Sequence, residues 1–172
     1  MTMRLPLAGY RIISAEQYGA GPYGTMFLAQ MGAQVIKIEP PPGGDTARAV
    51  GPHYLRAGES LYFQAFNLNK RSPTLNLHDP DGQQIFSSVA ATTHAVVNNL
   101  RGHLPERLGL TYGQLKDINP AVVCGHLSAY GRDNERADWP GYDYLMQAEA
   151  GWMALTGEPD APPTRAGLSL VD

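Results

Sequence analysis

Apolar positions in the first forty residues follow a strand pattern, then a helical one, then a strand pattern again. Residues 11–14 (RIIS) are typical of a short strand, and a glycine-rich loop follows them. Residues 25–31 (TMFLAQM) lead into Gly32, where a helix would end, and residues 34–39 (QVIKIE) alternate and are rich in β-branched side chains. The pattern therefore predicts a strand, a loop, a helix and a second strand.

The same order of elements returns in the middle of the chain. Residues 72–78 (SPTLNLH) indicate a short strand, and Asp79 followed by Pro80 is typical of a helix N-cap with proline at the first helical position. Residues 94–99 (HAVVNN) predict the next strand. The helix predicted between these two strands has Ile85, Phe86, Val89 and Ala90 on one face, and we expect that face to be buried.

The last third of the chain continues the alternation. Residues 110–120 predict a helix ended by its final proline, residues 121–128 (AVVCGHLS) a buried strand, and residues 142–155 an amphipathic helix. Strands that alternate with helices predict an α/β fold, here a Rossmann-like, mostly parallel sheet with helices on both faces. The length of 172 residues fits one domain, residues 1–172.

Composition and charge narrow the class of protein. Hydrophobic residues make up 43% of the chain and charged residues 17%, which is typical of a globular protein, and the net charge of -3 gives no general attraction for nucleic acid or an anionic membrane. The chain has no apolar run long enough for a membrane span and no signal-peptide pattern at its start, so we expect a cytoplasmic protein. The single cysteine, Cys124, lies in a predicted buried strand, where it is expected to fill core space.

The glycine-rich loop suggests a nucleotide site. Residues 19–24 (GAGPYG) fit the pattern G-x-G-x-x-G between a strand and a helix, and Glu39 ends the next strand, as in a dinucleotide site. However, Pro22 removes an amide that a phosphate would use, and Lys37 beside Glu39 suits an anion better than a ribose diol. The pattern therefore leaves open a plain tight turn, a dinucleotide site, and a site for another nucleotide-bearing ligand.

Several stretches, taken in order, resemble the class III CoA-transferases, the family that also includes the α-methylacyl-CoA racemases. The resemblance covers nearly the whole chain and implies that coenzyme A is the nucleotide-bearing ligand. It also implies that residues 1–172 are the N-terminal, CoA-binding domain of a longer fold whose subunits interlock as a homodimer. The stretches are LAGYRIIS, AGP at residues 20–22, MGAQVIKIEPPPGGDTAR, SLYFQAFNLNKRS, VVNNLRGHLPERLGLTYGQLKDINP and GYDYLMQAEAGWMALTGEPDAPPTRAGLSLVD.

The resemblance implies a set of CoA-binding residues. The family holds the adenine-ribose part of CoA at residues 75–78, so the backbone groups of Leu75 and Asn76 and the side chain of His78 are candidates, with a solvated strand end as the alternative for His78. Many family members have an acid and a lysine where this chain has Asn76 and His78, and this difference argues against charge pairing of His78 with the phosphates. Arg107 suits bidentate phosphate binding, with a surface arginine opposite Glu106 as the alternative. The full implied set is Leu75, Asn76, His78, Asn99, Leu100, Arg101, Arg107, Gly141, Tyr142 and Asp143.

Outside that set, Lys70 and Arg71 are the strongest local pair of positive charges. The two side chains would attract the phosphates of CoA, or else lie in a solvated turn.

The final residue, Asp172, matches the family's catalytic aspartate. A carboxylate can accept an acyl group from a thioester as a mixed anhydride, and Gln17 or the neighbouring Tyr18 would face that intermediate. Racemases have a histidine at the position of Tyr142, and tyrosine is a poor proton carrier near neutral pH, so the sequence favours a transferase. Without the resemblance, Asp172 would be read as a solvent-facing terminal acid.

These observations predict an enzyme that moves CoA between an acyl-CoA and a carboxylic acid. The alternatives are an acyl-CoA racemase or epimerase, and a non-catalytic fragment that binds CoA or another nucleotide. Coenzyme A is expected as a substrate, with no permanently bound cofactor, no metal site, and neither nucleic acid nor membrane as a partner.

Overall fold

The computed structural model describes residues 4–171, and its centre is a parallel sheet of four strands. The strand order is β2-β1-β5-β6, and every neighbouring pair is parallel. A short antiparallel pair, β3 and β4, lies apart from it. The strands are β1 (Arg11–Ala15), β2 (Gln34–Lys37), β3 (Tyr54–Arg56), β4 (Glu59–Ser60), β5 (Ala95–Asn98) and β6 (Val123–His126).

Helices follow most of the strands, and two of them are long. These two have eleven residues each, and the others have four to seven. A 3-10 helix covers Thr46–Ala49. The helices are α1 (Ala20–Gln30), α2 (Leu61–Phe66), α3 (Pro80–Ala90), α4 (Leu104–Arg107), α5 (Tyr112–Leu115), α6 (Asp143–Glu149) and α7 (Trp152–Leu155).

Consecutive residues of β1 enter two separate hydrophobic clusters. Ile12 packs in a cluster with Ala29 of α1, whereas Ile13 belongs to a second cluster with Phe86 of α3. Because neighbouring side chains of a strand point to opposite faces of the sheet, α1 covers one face and α3 covers the other. This arrangement confirms the predicted α/β fold with a mostly parallel sheet.

Several predicted elements differ from the structure in their limits. Helix α1 begins at Ala20, so most of the predicted glycine-rich loop is the first turn of a helix. Residues 72–78 form no regular strand; isolated bridges pair Arg71 with Ile36 of β2 and Thr74 with Glu39. The helix predicted over residues 142–155 is divided into α6 and α7 at Gly151, whose φ of 80° a helix cannot contain.

Helix α3 shows how far hydrophobic spacing can predict burial. The side chain of Asp79 accepts a hydrogen bond from the Asp81 amide, which confirms the predicted N-cap. Phe86 and Ala90 are buried, but Ile85 is 55% exposed, so its predicted place on the buried face is wrong. Among residues 4–171, none of the helices has the length and apolar character needed to cross a lipid bilayer.

Candidate functional site

The carboxyl ends of β1, β5 and β6 lie along one edge of the sheet. Since parallel strands point the same way, the loops that follow them meet there. The loop after β1 carries Gln17 and the loop after β5 carries residues 99–101, which the sequence assigned to one site.

Asn99 joins these two loops directly. Its Oδ1 atom accepts a hydrogen bond from the Gln17 amide at 2.9 Å, and its Nδ2 atom donates to the Gln17 carbonyl at 2.8 Å. Gly21 allows this approach, because a Cβ at position 21 would lie 2.8 Å from Asn99 Cγ. The backbone of Gln17 is therefore held on both its polar atoms.

A buried ion pair is hydrogen-bonded to the same loop and supports it. Lys37 and Asp45 form a salt bridge with fully buried side chains, and Lys37 also donates to Asn67 Oδ1 at 2.9 Å. Asp45 Oδ1 accepts a hydrogen bond from the Tyr18 amide at 2.9 Å. Tyr18 has a φ of 67°, a left-handed conformation that costs free energy in a non-glycine residue, so the hydrogen bond stabilises an otherwise unfavourable turn.

A second buried pair lies at the start of α1. Lys70 Nζ is 2.9 Å from Glu16 Oε1 and donates to the Pro22 carbonyl at 2.7 Å, and Thr25 donates its hydroxyl hydrogen to Glu16. Burial lowers the pKa of Lys70, while the charge of Glu16 opposes that shift. The predicted alternatives for Lys70, a solvated turn or a phosphate ligand, are both wrong because its ammonium group is buried and paired.

Glu39 is likewise bonded within the chain. Arg48 donates two hydrogen bonds of 2.7 Å to its carboxylate, and Ser72 and the Asp45 amide donate to it as well. Burial alone would raise the pKa of Glu39, but the hydrogen bonds from Arg48, Ser72 and the Asp45 amide lower that pKa to about 2. With its acceptors occupied, Glu39 does not offer the free carboxylate that a dinucleotide ribose would need.

These six charged side chains form one group, here called the ionic cluster, in which every side chain except the partly exposed Arg48 is buried. Asn67 links its two lysines, since Asn67 Oδ1 accepts hydrogen bonds from both Lys37 and Lys70. The charges balance at three positive and three negative, which lowers the cost of burying them. The ionic cluster consists of Glu16, Lys37, Glu39, Asp45, Arg48 and Lys70.

A first cavity, of about 190 Å³, opens beside Gln17 at this edge. Its wall is largely apolar, with Leu77, Leu104 and Leu108 among its residues. Such a lining with a few polar groups is typical of small-molecule sites. Five residues from the predicted site lie in its wall: Gln17, Leu75, Asn76, His78 and Leu100.

A second cavity, of about 510 Å³, lies on the other side of the loop after β5. Its wall contains three further predicted residues, Asn99, Arg101 and Gly141. Val171 also lines this cavity. Asp172, the predicted nucleophile, lies outside the described residues, but Val171 directly precedes it in the chain.

The structure does not bring Arg107 and Tyr142 into either wall. Arg107 is exposed at the end of α4, and the described residues that line the two cavities do not include it. Tyr142 is 55% exposed and stacks on Tyr144, with ring centroids 5.7 Å apart. Their assignment to CoA binding stays a prediction.

Asp143 is buried, and both of its carboxylate oxygens are bonded within the chain. Oδ1 accepts a hydrogen bond from the Val171 amide at 3.0 Å, and Oδ2 accepts one from Gln147 Nε2 at 2.5 Å. Gln147, which is fully buried, did not emerge from the sequence. Its position four residues after Asp143, on the same face of an amphipathic helix, was the available signal.

Cys124 and the potential metal ligands are the remaining side chains that could take part in chemistry. Cys124 is half-buried and packs against the main hydrophobic cluster, as predicted, and burial raises the pKa of its thiol. Within residues 4–171, no group of three or more His, Cys, Asp or Glu side chains is placed to hold a metal ion.

Comparison with known proteins agrees with this geometry. The model of CoA-transferase family III matches residues 7–172. A succinate–glutarate CoA-transferase of Agrobacterium fabrum is 38% identical over 97% of the chain, and an acetyl-CoA:oxalate CoA-transferase of Acetobacter aceti is 39% identical over 97%. The chain spans 43% of the length of each of these two enzymes.

A solved structure shows the same fold. The crystal structure of a CAIB/BAIF family protein from Brucella suis superposes with a TM-score of 0.89 at 33% identity. The match covers 97% of this chain and 45% of that protein. The likeness of fold therefore extends over nearly the whole chain.

Proposed function

Because the chain belongs to CoA-transferase family III, we propose that it carries the CoA site and the nucleophile of an enzyme that transfers CoA from an acyl-CoA to a carboxylic acid. Relatives named for transfer between dicarboxylates or to oxalate support this class of substrate. The observation that carries the proposal is the convergence at the sheet edge. Eight predicted residues, far apart in the sequence, line two cavities that share the loop after β5.

The two cavities suit different parts of coenzyme A. The first cavity, lined by Leu75, Asn76 and His78, would take the adenosine end through backbone groups and the His78 ring. The second cavity, lined by Asn99 and Arg101, would take the pantetheine arm and bring the thioester toward Asp172. Coenzyme A is then a substrate that enters and leaves.

The chemistry proceeds through exchange at carbonyl carbons. The Asp172 carboxylate attacks the thioester carbonyl, CoA leaves as a thiolate, and a mixed anhydride remains. The thiolate then attacks the aspartyl carbonyl, releases the first acid, and leaves Asp172 as a CoA thioester. The acceptor carboxylate attacks that thioester, and the thiolate finally attacks the acceptor's acyl carbon, which restores the Asp172 carboxylate.

Gln17 lies in the wall of the first cavity and is bonded to Asn99, which lines the second, so it would serve this sequence as a hydrogen-bond donor from the boundary between the two cavities. Its backbone is fixed by Asn99, so its position against the site does not depend on a flexible loop. An amide placed in advance stabilises the charge that develops on the carbonyl oxygen in each attack.

The assembly and location of the protein belong to the same proposal. The exposed aromatic side chains of Tyr23 and Phe27 on α1, together with the exposed Leu61 on α2, provide apolar surface for a partner. We therefore expect an interlocked homodimer, as the family resemblance implies, and a cytoplasmic location.

The test is trapping of the anhydride in the full-length gene product. Incubation with succinyl-CoA and hydroxylamine should convert Asp172 into a hydroxamate, detected by mass spectrometry of the tryptic peptide. The D172N variant should show neither the adduct nor transfer of CoA to glutarate or oxalate. The control D160N changes an exposed acid twelve positions earlier in the chain and should react as the unchanged protein does. An unmodified Asp172 during turnover would refute the proposal.

A further inference from the structure

The backbone that leads to Asp172 is held by one helix. Residues 166–171, here called the terminal segment, form no helix or strand. Leu168 is 73% exposed and Leu170 is 48% exposed, so the hydrophobic side chains of the terminal segment contribute little anchoring. Its course must be set by other contacts.

Gln147 of α6 provides the first of these contacts. Its Oε1 atom accepts a hydrogen bond from the Ala166 amide at 2.9 Å, and its Nε2 atom donates to the Leu168 carbonyl at 3.0 Å. One buried side-chain amide therefore satisfies a donor and an acceptor of the terminal segment. Because water does not reach the Gln147 side chain, nothing competes with these bonds.

Asp143 provides the remaining contact and orients Gln147. Its Oδ2 atom accepts from Gln147 Nε2, which fixes which end of the amide faces which backbone group. Its Oδ1 atom accepts from the Val171 amide, a charge-assisted bond at the last residue before Asp172. Consecutive Cα atoms are about 3.8 Å apart, so this bond acts on the chain one residue before the proposed nucleophile.

We propose that Asp143 and Gln147, here called the α6 clamp, are positioning residues that set the approach of the Asp172 carboxylate to the thioester. The inference rests on the proposed role of Asp172 as nucleophile. Neither residue of the α6 clamp touches the reacting atoms; both act through the backbone of the terminal segment. Breaking the α6 clamp therefore slows the chemical step and leaves binding of the acyl-CoA intact.

The first experiment removes the hydrogen bonds of Gln147 while keeping its volume. In the full-length gene product, Q147M should lower kcat by about 100-fold, as expected for a nucleophile displaced by roughly 1 Å, while KM for succinyl-CoA changes by less than about twofold. The matched control is N119L. Asn119 Nδ2 also binds two backbone carbonyls, those of Ala90 and Thr93, at 2.9 and 2.8 Å, but at the opposite end of the sheet.

N119L should lose stability and keep kcat. Equal kcat values for Q147M, N119L and the unchanged protein would overturn the inference.

A second experiment tests the pairing itself. D143N leaves one acceptor oxygen where Asp143 has two, so it can accept from Gln147 Nε2 or from the Val171 amide but not from both, and Q147E places a carboxylate against Asp143; each single change therefore breaks part of the hydrogen bonding. The double variant restores a donor facing an acceptor, and it keeps acceptors for the Val171 and Ala166 amides. It should recover kcat by about tenfold over either single variant, a coupling that independent sites would not show. Simple additivity of the two losses would count against the α6 clamp.

Hydrogen exchange separates this inference from the proposed function. The amides of Ala166 and Val171 should exchange at least about tenfold faster in Q147M than in the unchanged protein or in N119L, because their acceptors are lost or displaced. Unchanged exchange there would refute the α6 clamp, even if Asp172 forms the hydroxamate. If Asp172 forms no hydroxamate in the unchanged protein, the proposed function fails, and the exchange rates still decide whether the α6 clamp holds the terminal segment.

Discussion

The ionic cluster and the α6 clamp each support a chain segment next to one of the two proposed catalytic residues, and they do so by different means. The ionic cluster supports the loop of Gln17 with three salt bridges, two of them buried; Lys70 and Glu16 are 54 positions apart in the sequence, and the partners of the other two pairs are eight and nine positions apart. The α6 clamp supports the approach to Asp172 with two side chains of a seven-residue helix. The ionic cluster lies inside the core of the domain, whereas the α6 clamp lies at the edge of that core.

This difference separates stability from catalysis. Removing one charge from the ionic cluster leaves its partner buried and unpaired, which destabilises the whole domain. Removing the α6 clamp releases only a short segment, so the fold survives and the geometry of the nucleophile suffers. The following predictions test this contrast, in order of decreasing effect on the free energy of unfolding.

The largest loss of stability is expected from K37M. Methionine keeps the volume of the side chain but leaves Asp45 buried without its cation, which should lower the free energy of unfolding by about 3–5 kcal/mol. Urea unfolding followed by circular dichroism measures this loss. The same substitution at the exposed Lys116, K116M, should change the free energy by less than about 0.5 kcal/mol. Equal effects at both positions would show that the ionic cluster does not support the fold.

The next effect depends on pH and concerns Glu39. Its pKa is about 2 in the folded protein and 4.5 ordinarily, so the folded state favours the carboxylate. The resulting stabilisation, about 3 kcal/mol, is fully present above pH 4.5 and is lost as the pH falls from 4.5 toward 2. E39Q should therefore be less stable at pH 7 and show a shallower loss of stability in acid. E135Q, at an exposed carboxylate, should keep the steep acid dependence of the unchanged protein.

A smaller effect is expected where the two loops meet. N99A removes both hydrogen bonds to the Gln17 backbone and should cost about 1–2 kcal/mol of stability. Because Gln17 would then move, transfer activity should fall by more than this loss of stability explains. N119A removes a similar number of backbone contacts far from the site and should keep its activity. Equal transfer activities in N99A and N119A would show that the position of Gln17 does not affect catalysis.

The smallest effect is expected at a surface ion pair near the second cavity. Arg136 and Glu149 are 2.9 Å apart, but both side chains are 44% exposed, so the pair should contribute at most about 1 kcal/mol. A double-mutant cycle with R136Q and E149Q in urea unfolding measures this coupling. A coupling energy of about 3–5 kcal/mol, as large as the loss of stability expected for K37M, would contradict the view that burial makes the ion pairs of the ionic cluster stronger than exposed ones.

Parts of the candidate site could be predicted from the sequence. The strand patterns that end near Gln17 and Asn99 place both residues at the carboxyl edge of a parallel sheet, and the structure joins them by two hydrogen bonds. The resemblance to the family added Leu75, Asn76 and His78, and the first cavity collects them beside Gln17. Such predictions succeed because strand direction decides which loops are neighbours.

Other parts could not be read from the chain alone. Lys70 and Glu16 are 54 positions apart, and nothing in either stretch predicts that they pair. Gln147 follows an ordinary helical pattern, and its partners in the terminal segment are backbone groups, which every residue offers. Ile85 shares its helical spacing with Phe86 but is exposed, because no element covers its side of α3 closely enough to bury it.

The sequence by itself determined the order in the chain of the four sheet strands and of the long helices α1 and α3, the N-cap at Asp79 and the family, because these depend on local spacing and on residue order. Only the tertiary structure decided which charges are buried and paired, which of the predicted residues share a cavity, and which helix holds the approach to Asp172. Those outcomes depend on contacts between distant segments, and the free energy of such a contact is defined only when folding has removed water from both partners.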